Sequence, residues 1–234
     1  AFDTIEAAAV AAPELRHHVR SLEAAELFLA AGLDLVCRVD DLAHPFISPH
    51  AAFLLAEAAA DRSPVDDLTA AVDSLEGVAD VVVAGEERRR EELWHFREGL
   101  PTAINTVGTP HKLDIAVPPP RLGEFLQRVP GAVAAVAPAA STWLFGHAAD
   151  GSVHVNVTGL PPDEHLVDDA VLRLAAELGG TISAEHGIGT AKRAYLGLNR
   201  GPAEVAIFRA LKRAFDPDGV LNPNVLVPEP TTTD

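Results

Sequence analysis

Two histidines, a glutamate and a third histidine are the residues of this sequence best suited to chemistry. His147 and His154 flank Asp150-Gly151 within FGHAADGSVHVN. Asp-Gly between alternating apolar runs is a strong hairpin signal, because a type I′ turn needs positive φ at both central positions. A turn centred on Asp150-Gly151 sets Ala149 opposite Ser152, Ala148 opposite Val153 and His147 opposite His154. Opposed residues on one face of a sheet have Cβ atoms about 4.5–5.5 Å apart. Both imidazoles then project the same way, with Asn156 beside them, which is how a sheet would present two nitrogens to one cation. An open catalytic metal site commonly takes a carboxylate as its third protein ligand. The candidate is Glu185 in SAEHGIG, where Gly187 and Gly189 allow close backbone approach. The adjacent His186 would stand at the rim of the metal shell, within reach of a substrate hydroxyl as a base. Spacing leaves plainer readings open: a polar surface pair for the two histidines, and an ordinary loop before a helix for EHGIG.

Two basic residues bear on substrate charge. Arg97 lies late in the charged segment EERRREELWHFREGL, and Lys112 is one of few lysines in the chain. An arginine suits two-pronged carboxylate binding, and a lysine supplies a point charge. Arg97 has no acidic residue at its facing positions, since Trp94 and Leu93 occupy them. Its charge is therefore free for a ligand or for water, and the same two uses stand open for Lys112.

The chain carries a formal net charge of −16 over 234 residues. Such a surface repels nucleic-acid phosphates and anionic lipid, so neither is an expected partner. It also makes basic groups in a pocket more significant, because an anionic substrate needs them. Cys37 is the only cysteine, so no intrachain disulfide forms and a cytoplasmic location is expected, compatible with peripheral membrane association. No apolar run approaches the roughly 18 residues of a membrane-spanning helix, and AFDTIEAAAV lacks the pattern of a signal peptide.

These residues need elements to position them. Residues 3–12 and 22–32 read as Ala-rich helices, with Ser21 capping the second. LDLVCRV (33–39) alternates as a strand, AAFLLAEA (51–58) suits either helix or strand, and 65–75 is helical. VADVVVAG (78–85) reads as a strand, 86–100 as a charged helix, and KLDIAV (112–117) as a strand that stops at three prolines. RLGEFLQRV (121–129) is helical; the histidine hairpin follows, then helices near 163–178 and 203–214. The Pro- and Asp-rich tail reads as extended, with 229–234 disordered. Strict strand-helix alternation is missing and no linker-like break divides the chain. An α+β domain with a mainly antiparallel sheet covered by helices is expected.

GHAADGSVHVNV (146–157), SAEHGIGTAKRAYL (183–196) and LKRAFDPDGVLNPNVLVP (211–228) together resemble the C-terminal domain of FAD-linked oxidases of the vanillyl-alcohol-oxidase superfamily. That superfamily includes D-lactate dehydrogenases, the glycolate oxidase large subunit and D-2-hydroxyglutarate dehydrogenases. LWHFREGLPTAI (93–104) and HKLDIAVP (111–118) extend the resemblance over nearly the whole chain. The resemblance implies a ferredoxin-like substrate domain spanning 1–234 that caps a separate N-terminal FAD-binding domain, about 200 residues more, absent from this sequence. The chain is then part of a longer protein, which also suits its lack of methionine.

Residue by residue, the resemblance implies His147, His154 and Glu185 as metal ligands and His186 as general base. Asn156 would orient substrate, Arg97 would grip its C1 carboxylate, and Lys112 would help hold it, as in the hydroxyglutarate branch. FAD and a divalent metal (zinc first, manganese or iron also suitable) are the implied cofactors. The implied partners are a small anionic D-2-hydroxyacid, the flavin domain and an electron acceptor whose nature the sequence does not give. Departures are Ser152 after Asp-Gly in place of Asn, Ala148 and Ala149 in place of a bulkier residue and a Gly, and Pro101 where the hydroxyglutarate branch has Thr. Two other uses of the same residues are a flavin-free metal-dependent hydrolase and a non-catalytic metal-binding or docking module.

Overall fold

The computed structural model describes residues 1–61, 63–161 and 163–227; the expected disordered tail, 229–234, lies outside them. In chain order the elements are α1 (Ile5–His18), β1 (Leu22–Leu29), α2 (Ala30–Val39), β2 (Ala52–Ala58), α3 (Val65–Ser74), α4 (Glu87–Glu98) and α5 (Leu100–Val107). They continue with β3 (His111–Ala116), α6 (Leu122–Val136), β4 (Ser141–His147), β5 (Ser152–Thr158), α7 (Leu166–Glu177) and α8 (Pro202–Phe215). The strands form one sheet in the order β2-β1-β4-β5-β3, every neighbouring pair antiparallel. The class is α+β, as expected.

The ferredoxin-like expectation is met in the C-terminal half. β3 and β4 run in the same direction with α6 as their crossover, and β5 inserts between them, antiparallel to both. This is the split β-α-β arrangement. After α7 the chain returns to β3, where Thr181 and Ala116 exchange backbone hydrogen bonds of 2.7 and 3.2 Å. The fourth strand of the motif is thus a single bridge. On the far side of β4 the sheet grows by β1 and β2.

Alternation along each strand separates two faces. One is apolar: Leu113, Ile115, Leu144, Val153, Val155 and Val157 pack against α1, α6 and α7. On α6, Phe125, Leu126, Val129 and Val133 are almost wholly buried, each at the spacing that keeps it on the sheet side. Burying such side chains contributes about 1.5–3 kcal/mol apiece. The other face is apolar toward β1 and β2, where Phe28 and Phe53, with Phe145 of β4, meet Leu33 and Val36 of α2, Phe96 of α4 and Leu100 and Ile104 of α5. Over β4, β5 and β3 that same face carries Trp143, His147, His154, Asn156, Lys112 and Asp114. This polar strip holds the residues singled out above.

Three element assignments differ from the sequence reading. Residues 22–29 are a strand, not a helix: LEAAELFL sits inside the sheet, paired with β2 on one side and β4 on the other. A strand buried on both faces does not alternate, and tertiary pairing outweighs the helical preference of alanine. Residues 30–39 are a helix, not a strand. Leu33, Leu35 and Val36 are all buried, and Gly32 lets α2 approach α5 so closely that a Cβ there would lie 2.8 Å from Leu100 Cδ2. Residues 79–85 form no strand; only Val78 makes a bridge, to Phe2, and Val81 and Val83 stay exposed without a pairing partner.

Candidate active site

The histidine hairpin forms with a wider turn than its Asp-Gly suggests. Phe145, not His147, stands opposite His154. Asp150 keeps a negative φ and only Gly151 is positive, at 81°, so the type I′ requirement fails. The turn spans Ala148–Gly151, closed by Asp150 N to His147 O at 3.4 Å and Gly151 N to Ala148 O at 3.3 Å. Gly151 lies against the chain after β3, where a Cβ would fall 2.0 Å from Val117 O. The register moves by two residues relative to expectation. Because side chains repeat every second residue, His147 and His154 still share a face, now as diagonal neighbours. Their rings meet edge to face with centroids 5.5 Å apart.

The third candidate arrives from the loop after α7. Glu185 Oε1 lies 3.3 Å from His147 Nε2, and one ligand atom each from His147, His154 and Glu185 all fall within 4.8 Å of one another. His186 brings its ring centroid to 6.2 Å from that of His154. The structure therefore gathers all four residues of the expected centre at one end of the polar strip. Asp114, His154 and His186 also bring one ligand atom each within 4.8 Å of one another and share His154 with the first group.

Asp114 explains how a loop can deliver Glu185 and His186. It is buried on β3, and its Oδ2 accepts the backbone N–H of Glu185 at 2.8 Å and of His186 at 2.9 Å. Lys192 Nζ donates to the Asp114 backbone carbonyl at 2.8 Å. Gly187 and Gly189, at φ 75° and 56°, make the bend that follows. Burial alone would raise the Asp114 carboxyl. The N–H donors of His186 and Glu185, with the charges of Lys192 and His186, bring it below its ordinary value. Its other oxygen, Oδ1, is buried with no hydrogen-bond partner among the described residues and stands 3.8 Å from His154 Nδ1.

Arg97 is not free, contrary to the expectation from its own helix. Its Nε donates to Glu26 Oε2 at 2.7 Å, and its guanidinium carbon lies 4.6 Å above the centre of the Phe145 ring. Glu26 comes from β1, remote in sequence, and its other oxygen meets His147 Nδ1 at 2.5 Å. Neither Nη group of Arg97 has a partner among the described residues. Asn156 is buried on β5 with Lys112 and Trp143 on either side, and Lys112 is exposed, its ammonium unpaired among the described residues.

These residues fit a divalent cation. With Nδ1 of His147 held by Glu26, Nε2 is the nitrogen turned to Glu185. Burial, then the charges of Arg97 and His147, lower the pKa of His154 and favour the neutral ring, the form that ligates metal. The strip is open to solvent where Glu185, His186 and Lys112 are exposed.

Residues 1–226 match the family model described as "FAD linked oxidases, C-terminal domain". The chain belongs to this family. Relatives of this FAD-linked oxidase domain include a D-2-hydroxyglutarate dehydrogenase of Xanthomonas citri pv. viticola, 34% identical over 223 residues, which is 88% of this chain and 46% of that protein. Another is the D-2-hydroxyglutarate dehydrogenase of Stutzerimonas stutzeri, 35% identical over 154 residues, 62% of this chain and 33% of that protein. An uncharacterised FAD-linked oxidoreductase of Mycobacterium tuberculosis is 32% identical over 218 residues, 92% of this chain and 46% of its own length. The chain spans less than half the length of each. Among the described residues no helix is long and apolar enough to cross a membrane.

Two residues that organise this domain's site escaped the sequence reading. Asp114 carried a signal: an aspartate in mid-strand is disfavoured and asks for a reason. Glu26 carried one only after its segment is known to be a strand, because in a helix it reads as a solvated early-turn acid.

Proposed function

We propose that this domain is the substrate- and metal-binding part of a flavin-dependent dehydrogenase that oxidises a D-2-hydroxyacid to the 2-oxoacid, the flavin being held by a separate domain of the same protein. The observation that carries this reading is the convergence of His147, His154 and Glu185, ligand atoms within 4.8 Å, with His186 next to His154 and Arg97 joined to His147 through Glu26. Membership of the FAD-linked oxidase family and the names of its relatives support the chemistry.

In this reading His147, His154 and Glu185 hold a divalent cation, zinc first with manganese or iron as alternatives, which supplies Lewis-acid polarisation of the substrate hydroxyl and carboxylate. FAD from the other domain supplies the hydride acceptor. Arg97 uses its two unpartnered Nη groups to clamp the C1 carboxylate, and its fixed Nε and stacked face leave the fork little freedom. Clamping aims the C2 hydrogen in one direction. Asn156 orients the substrate from the sheet, and Lys112 offers an exposed charge to its far end. His186 takes the hydroxyl proton at a ring nitrogen as the C2–H electron pair leaves, and C2–O becomes a carbonyl. Such a base is worth typically about 10²–10⁴ in rate.

The test uses the full-length protein, its metal and flavin content, a panel of D- and L-2-hydroxyacids and a dye electron acceptor. His186→Ala lowers turnover by about 10²–10⁴ while bound metal stays at the wild-type level. Unchanged turnover removes His186 as base. Metal-dependent hydrolysis without flavin, or metal binding with no turnover on any hydroxyacid, overturns the dehydrogenase reading.

A further inference from the structure

We propose that Glu26 is the positioning residue of this site, one buried carboxylate fixing both the ring of His147 and the guanidinium of Arg97. The inference rests on the reading of the site as a metal centre and names a residue outside the ligand and substrate set. Glu26 stands directly opposite His147 in the pairing of β1 with β4. Its side chain is only 6% exposed. Each oxygen has one committed partner: Oε1 with His147 Nδ1 at 2.5 Å, and Oε2 with Arg97 Nε at 2.7 Å. A buried carboxylate must be balanced and fully bonded to be tolerated, and these two partners do both.

Geometry on either side gives the carboxylate its task. On the histidine side, Nδ1 is taken by the Glu26 carboxylate, which leaves Nε2 as the nitrogen that faces Glu185, at 3.3 Å. A carboxylate behind a ligating imidazole fixes its tautomer and orientation and strengthens it as a donor. On the arginine side, Glu26 holds Nε while Phe145 lies against the guanidinium face, so both Nη groups extend from a fixed base. The residue proposed to hold the metal and the residue proposed to hold the substrate carboxylate thus share one anchor, and the distance between them is set through it.

The test uses the full-length protein with Glu26→Gln, which keeps the shape and removes the charge. Zinc affinity is measured by competition with a chromogenic chelator, and the visible spectrum of the cobalt-loaded protein is recorded alongside. Glu26→Gln weakens zinc by about 10–100-fold and shifts the cobalt bands. Glu124→Gln, on α6 across the sheet where the carboxylate pairs with Arg128, changes neither. In the zinc-loaded wild type, ¹⁵N NMR finds His147 bound to zinc through Nε2 and protonated at Nδ1, a readout that needs no variant should Glu26→Gln fail to fold. Zinc bound through Nδ1 of His147, or affinity in Glu26→Gln within about twofold of wild type, overturns the proposal. If zinc binds and His147→Ala abolishes it while Glu26→Gln does not, Glu26 alone is refuted. If the wild type binds no divalent metal, the centre itself is refuted and the role of Glu26 with it.

Discussion

Replacing Asp114 by alanine tests whether one carboxylate holds the Glu185–His186 loop in place. The side chain accepts two backbone N–H groups, at 2.8 and 2.9 Å. Hydrogen bonds to a charged acceptor contribute about 1.5–3 kcal/mol each. Glu185 and His186 are exposed, so their freed N–H groups turn to water and the lower figure applies. Two such bonds give about 3 kcal/mol of loop ordering. At 1.4 kcal/mol per factor of ten, that is about a 100-fold shift toward open loop conformations. Metal affinity is reduced by the fraction of molecules that still place Glu185 beside His147, so it falls by up to the same ~100-fold. Amide hydrogen exchange across 182–190 and chelator competition on the full-length protein read the two effects together. Asp114→Asn, which keeps an acceptor oxygen without the charge, falls between. The reasoning is refuted if exchange at Glu185 and His186 is unaltered in Asp114→Ala. The loop would then be held by its flanking bonds, Ile182 N to Asn199 Oδ1, Lys192 N to Ile188 O and Leu226 N to Gly189 O.

Gly146→Ala disrupts the hairpin itself, because the new Cβ would fall 2.3 Å from Ser152 O and 2.9 Å from Val153 Cα, both backbone. Overpacking of this kind costs about 1–3 kcal/mol or more, a loss of roughly 2–12 °C in a thermal melt of a domain this size; an unchanged Tm refutes the close approach of β4 and β5. At the C-terminal end, Asp216 accepts from Lys212 Nζ and from Val220 N and Leu221 N at 2.9 and 3.0 Å, and the Lys212 bond foremost holds its carboxyl below the ordinary value. A depressed folded value means that its contribution is present above the unfolded pKa of about 3.9 and is lost as pH falls through the lower folded value. Proteolysis of the segment after α8 therefore accelerates on acidification below about pH 4. In Asp216→Asn that pH dependence flattens; a steep dependence surviving in the variant refutes the assignment.

The elements that were legible are those in which one period dominates. KLDIAV alternates because β3 is apolar on one side and polar on the other, and α6 shows its helical stripe because only one side meets the sheet. β1 and α2 were exchanged for their opposites for related reasons. β1 is covered on both faces and carries alanines where bulk is not wanted, so its pattern reads as helix. α2 is short, and its apolar residues at 33, 35, 37 and 39 alternate in sequence, although the positions it buries, Gly32, Leu33, Leu35 and Val36, follow helical spacing. The valines of 78–85 have strand propensity, but propensity supplies no partner, and the sheet edge is met there at Val78 alone.

The site was more legible than the fold that builds it, and the reason is parity. Everything that brought His147 and His154 together from sequence depended on which face they share, not on which residues stand opposite. A turn longer than expected changed the partners of both histidines and left the face untouched, because two residues were added to the register and not one. A slip of one would have turned His154 into the apolar core and Val153 and Val155 out of it, leaving the site without its second imidazole. Glu185 and His186 were visible for a different reason: a glycine-rich bend needs no strand register to deliver its side chains. What remained hidden were the groups that hold the visible ones, Glu26 behind His147 and Asp114 beneath His186. Each acts across more than 70 residues of sequence, 121 for Glu26 with His147 and 72 for Asp114 with His186. Only the pairing of β1 with β4, and the return of the chain past β3 after α7, bring such partners within a hydrogen bond.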